Sequence, residues 1–140
     1  MLRKLVTVLF AITMSLSMNS LVFAADQSSA ETEIPADNYQ YAQGASVALN
    51  VSSSGVARIH AQLTGKTQAT KLAATVILQK YNHGIWSRVD AWTDTTKSSE
   101  LIIKKSVNIS KGTYRVYAMF HAYDGKKDEL INRISKSVKY

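Results

Sequence analysis

Ten residues between Tyr114 and Tyr123 alternate strictly in character. Tyr114, Val116, Ala118, Phe120 and Ala122 fall on one parity, and Arg115, Tyr117, Met119, His121 and Tyr123 on the other. Successive side chains of an extended strand point to opposite faces. The first set is therefore a core face. The second combines rings, a thioether and a guanidinium, the residue types that carry contact energy in interfaces. Its chemistry is recognition, by stacking, cation–π contact and hydrogen bonding. Arg88 joins it from a neighbouring strand, so the candidate binding residues are Arg88, Tyr117, Met119, His121 and Tyr123.

Catalytic constellations are missing. The sequence holds no Gly-x-Ser-x-Gly elbow, no His-Glu-x-x-His and no glycine-rich phosphate loop, the arrangements that supply a nucleophile, a metal-activated water or a phosphate cradle. A hydrolase needs such a group. Of the three histidines, His60 and His121 are expected on opposite sheets and His83 at a hairpin tip. A calcium site built from Asp124 and Asp128 would have Lys126 and Lys127 beside it, which opposes a cation. No catalytic residue, metal ligand set or cofactor is expected, and the protein reads as non-enzymatic.

The elements that position these residues follow from period two, the mark of half-buried strands. From Ser46 onward SVALNVS, VARIHAQL, KLAATVILQKY, IWSRVDAWTDT, ELIIKKSVNI, KGTYRVYAMFHAYDG and DELINRISKSVKY make about seven strands. No helical stretch interrupts them, so the expected fold is all-β, an antiparallel two-sheet sandwich, with a small barrel as the other closure period two allows. Asn82-His83-Gly84 is a hairpin signal, since these residues tolerate positive φ. Trp86, Val89 and Trp92 are spaced by three. That spacing suits a bulge turning Trp86 and Val89 inward, which places Trp86 in the core and Trp92 on the outer face beside Ile77 and Tyr81.

Gly112-Thr113-Tyr114-Arg115-Val116 resembles the tyrosine corner of immunoglobulin-like and fibronectin-type-III-like domains, where a tyrosine hydroxyl bonds back to the preceding loop. Val116 stands where antibody domains carry a cysteine, so the resemblance is to the broad architecture. SSSGVA, LTGKT, LQK…GxW, KGTYRVYA and the Ser/Lys-rich last strand also resemble a family of small secreted proteins of Gram-positive bacteria, each with one such sandwich. That resemblance implies an immunoglobulin-like fold and a location, and no activity.

Residues 1–24 read as a signal peptide: Arg3 and Lys4, an apolar run, then a small-residue exit with cleavage after Ala24 or Ala25. Residues 25–45 read as a flexible acidic lead-in and 46–140 as the sandwich. The sequence contains no cysteine, so no disulfide framework or thiolate site is available. Polar Ser15, Ser17, Asn19 and Ser20 cut the apolar run short of the ~20 residues of a membrane span, so secretion without a stable membrane anchor is expected. The net charge is +7; losing Arg3 and Lys4 leaves +5. Asp26, Glu31, Glu33 and Asp37 concentrate acid in the lead-in, so residues 46–140 carry +9. A basic domain attracts anionic polymers or lipid headgroups, and export favours an anionic cell-surface (wall) polymer or membrane surface over nucleic acid; Lys97, Lys104, Lys126 and Lys127 on predicted edges and turns also keep sheets from pairing with one another.

Together these residues read as a secreted, extracellular binding or structural module. The other function that charge and size suggest is a secreted antibacterial or membrane-active cationic protein. Three covers fit the aromatic face: the lead-in folded over it through Tyr39 and Tyr41, a second copy in self-association, or a stacked ligand such as a glycan. Cross-strand aromatic pairs also stabilise a sheet without any cover.

Overall fold

A computed structural model describes residues 38–140. The expected signal peptide, its expected cleavage site and the acidic residues up to Asp37 lie outside the described residues. The elements are β1 (Ala42–Val51), β2 (Val56–Gly65), β3 (Lys71–Asn82), β4 (Ile85–Thr96), β5 (Glu100–Asn108), β6 (Thr113–Asp124), β7 (Lys127–Ile134) and β8 (Val138–Lys139). The architecture is all-β, with two antiparallel sheets. One has the order β1-β2-β5. The other runs β4-β3-β6-β7, with β8 paired to the first residues of β6.

The core is built from the alternation. Leu72, Ala74, Val76 and Leu78 of β3 and Tyr114, Val116, Ala118, Phe120 and Ala122 of β6 are almost fully buried. Register places large against small across these two strands: Leu72 opposite Ala122, Ala74 opposite Phe120, Val76 opposite Ala118. Ala57, Ile59, Ala61 and Leu63 of β2, with Leu101 and Ile103 of β5, close the core from the other sheet. Such pairing lets side chains of unequal volume interdigitate at crystal-like density.

Tyr114 does what its sequence context suggests. Its ring is buried, and its hydroxyl donates to the Ser110 carbonyl at 2.9 Å. Tyr39 is also buried, but its hydroxyl has no partner. The two predict opposite results. Tyr114→Phe should cost about 1 kcal/mol by deleting a satisfied hydrogen bond, whereas Tyr39→Phe removes only an unsatisfied group and should be neutral or stabilising. Urea midpoints of the two variants check this, and equal losses would contradict it.

Three boundaries differ from the sequence reading. β1 starts at Ala42, not Ser46, and Tyr39 and Tyr41 pack into the core instead of covering the outer face. The cause is Glu129 on β7. Its carboxylate accepts from the backbone N–H groups of Gln40, Tyr41 and Ala42 at 2.7, 2.7 and 3.0 Å. The Lys66 N–H donates to the Tyr41 carbonyl at 2.7 Å on the other side. At the far end the expected last strand divides into β7 and β8. Ser135, between them, occupies both backbone groups of Val116: its N–H donates to the Val116 carbonyl and its hydroxyl accepts from the Val116 N–H, each at 2.8 Å.

The third difference concerns the tryptophans. A bulge is present: Leu78 pairs with Asp90 and Gln79 with Arg88, leaving Val89 over. Its effect is the reverse of the expected one. Trp86 is opposite Tyr81 and faces outward, while Trp92 is opposite Val76 and packs against the core. Val89 is likewise exposed. The hairpin turn decides this. His83 and Gly84 both take positive φ, 49° and 84°, as a two-residue turn of the primed type requires. That turn pairs Ile85 with Asn82, so Trp86 inherits the outward parity of Tyr81.

Candidate binding face

The outer surface of the larger sheet collects all five candidate residues. Gln79 lies between Arg88 on β4 and Arg115 on β6; Ile77 is beside Tyr117, Thr75 beside Met119, Ala73 beside His121 and Lys71 beside Tyr123. Tyr117, Met119, His121 and Tyr123 are half-buried and Arg88 is exposed. Trp92 does not belong to this surface. Trp86 takes its place, and Lys71 and Asp128 complete it.

At one end Arg115 is held in a fixed pose. Its Nε donates to Gln79 Oε1 at 2.8 Å, and its guanidinium lies 4.2 Å from the centre of the Trp86 ring. Tyr81 meets Trp86 with ring centroids 5.2 Å apart. At the other end the Lys71 ammonium sits 4.2 Å above the Tyr123 ring. Tyr123 stacks on His121 at 5.9 Å and 17°. Cations resting on ring faces are attracted by the ring quadrupole, and both geometries keep the positive charge at the surface.

His121 Nδ1 lies 2.9 Å from both oxygens of Asp128. The pair is half open to solvent, at 32% and 41% side-chain exposure. It orients the imidazole through one nitrogen and ties β6 to β7. The two residues lie seven positions apart in the sequence, in two different strands. Their signal was the hairpin itself: a turn at Asp124-Gly125 puts Asp128 opposite Tyr123, diagonal to His121. Among the described residues no group of three or more His, Cys, Asp or Glu is arranged to hold a metal ion.

The charge of this surface is one-sided. Among the described residues its strand positions carry the cations Lys71, Arg88 and Arg115 and one acid, Asp128, which His121 engages. Ile77, Tyr117, Met119 and the 54%-exposed Leu130 supply apolar area between the charged ends. Among the described residues no helix is long and apolar enough to cross a membrane. No family model and no curated protein matches the chain.

Proposed function

We propose that this protein is a secreted, non-enzymatic binding module that recognises an acidic polysaccharide on the outer face of its larger sheet. The observation that carries the reading is the pairing of flat rings with fixed cations there, Arg115 on Trp86 and Lys71 near Tyr123. Sugar rings stack on exposed aromatic faces through their C–H edges. Acid groups along the same polymer meet Arg88, Arg115 and Lys71. Charge also decides between occupants. In a two-fold dimer this face would meet itself, setting Lys71 and Arg88 of one copy against the same cations of the other. An anionic polymer suffers no such repulsion. Tyr39 and Tyr41, the aromatics that would have served as a self-cover, are spent in the core.

Two features support an immunoglobulin-like, fibronectin-type-III-like assignment of the sandwich: the sheet orders β1-β2-β5 and β4-β3-β6-β7, and the Tyr114 corner bond. Such frameworks present sheet faces and loops to ligands without chemistry of their own.

Binding to polygalacturonate and to uncharged dextran, each at low and high salt, tests the function. Trp86 fluorescence in a Trp92→Phe background reports on the face itself. Polygalacturonate should change the signal at low salt and lose affinity as salt screens it, while dextran has little effect. Equal responses to the two polymers, or none to either, would sink the proposal. Leakage of anionic vesicles without polysaccharide binding would favour a membrane-active protein instead.

A further inference from the structure

The smaller sheet carries a second concentration of positive charge on its own outer surface. Register sets it out in two rows across the three strands. Asn50, Arg58 and Ser106 form one row, and Ala48, His60 and Lys104 the next. They line a shallow groove of ≈ 470 Å³, which Lys105 borders from the edge strand. None of the groove's residues is acidic. The acid of this face is Glu100, opposite Thr64 and bonded to the Gln62 amide, while Asp94 of the other sheet lines a separate pocket beside Lys104 and Lys105. Glu100 is four residues from Lys104 along β5, ~13 Å of strand, which exceeds the ~8 Å screening length of physiological salt. The His121–Asp128 ion pair lies on the opposite side of the sandwich.

Like charges facing one another across strands destabilise a sheet, and diagonal neighbours stay within reach of long side chains. Here Arg58 and Lys104 stand on neighbouring strands above small side chains, Ala48, Asn50 and Ser106, that leave them exposed. A ligand's negative charge offsets that repulsion. The geometry points to a second binding site in this groove, specific for a phosphate group carried on a soluble polymer. Arg58 offers a planar fork to two oxygens and Lys104 a point charge. The Asn50 amide, the Ser106 hydroxyl and His60 supply further donors from all three strands. A phosphate's oxygens are arranged tetrahedrally and can accept from all three strands out of one plane, whereas a carboxylate's acceptor sites lie in a single plane. No tyrosine or tryptophan lines the groove, so sugar stacking has no part in it, and the site is chemically distinct from the aromatic face. With one site on each outer surface, a single domain can join two polymer segments.

Tripolyphosphate is the probe, titrated into the isolated ¹⁵N-labelled protein. The largest amide shifts should fall on Ala48, Asn50, Arg58, His60, Lys104 and Ser106. The double variant Arg58→Gln/Lys104→Gln should weaken binding at least tenfold while the rest of the spectrum stays folded. Trp86→Ala, on the other sheet, should leave the tripolyphosphate affinity unchanged, so this result is independent of polysaccharide binding. Shifts spread over every exposed lysine, or centred on Arg88 and Arg115, would overturn the assignment. So would retention on phosphatidylglycerol vesicles with no response to tripolyphosphate, which would make the groove a lipid-surface contact.

Discussion

Glu129→Ala should destabilise the domain by about 3–5 kcal/mol, the largest effect expected of any substitution outside the core. The carboxylate takes three successive backbone donors at the start of β1, from Gln40, Tyr41 and Ala42. Hydrogen bonds to a charged group are worth about 1.5–3 kcal/mol each. The exposed Gln40 bond contributes least, because water can replace it. The loss spreads beyond these bonds, since this segment, with Lys66 and Gln68 across from it and Arg133 over the Tyr39 ring, anchors Tyr39 and Tyr41 in the core. For a domain of this size the melting temperature should fall by roughly 15–20 °C. Amide exchange at Gln40, Tyr41 and Ala42 should accelerate ahead of the rest of the sheet. Glu129→Gln keeps one carbonyl acceptor and should recover about half of the loss. A Glu129→Ala protein melting within about 3 °C of the parent would refute the account.

The second large effect separates the two tryptophans. Trp86→Ala should weaken polygalacturonate binding about thirtyfold, the ~2 kcal/mol of an interface hot spot, with little change in stability. It removes the stacking surface and the ring on which Arg115 rests. Trp92→Ala should do the opposite. It takes a side chain from the edge of the core, opposite Val76, and should cost about 3 kcal/mol of stability, while the folded fraction binds normally. Calorimetric melts and binding isotherms on the same two variants suffice. The reverse pattern, with Trp92 needed for binding and Trp86 for folding, would mean that the face has been assigned to the wrong side of β4.

Much of the candidate face was legible because it lies on one strand. The parity of Arg115, Tyr117, Met119, His121 and Tyr123 is local, and β6 preserves it without a break. Arg88 was also placed correctly, since Gln79 opposite it keeps the outward parity. Trp86 and Trp92 were misplaced because a bulge between them was read without its partner strand. Spacing by three says that the strand rotates, but not which end turns inward. Only pairing with Tyr81 and Val76 answers that. The start of the domain was missed for a similar reason. The acceptor that orders Gln40 to Ala42 lies on β7, 87 to 89 residues away.

The sequence alone determined that this chain makes strands, where most of them turn, and which side of each strand other than β4 faces the core. Those features depend on steric alternation within a strand and on turn residues that tolerate positive φ, both short-range. Tertiary structure alone decided which tryptophan packs against the core, where β1 begins, that His121 meets Asp128, and that Arg58, His60 and Lys104 share one surface. Each of these depends on register between strands distant in the chain, and a shift of one residue would send every side chain to the opposite face.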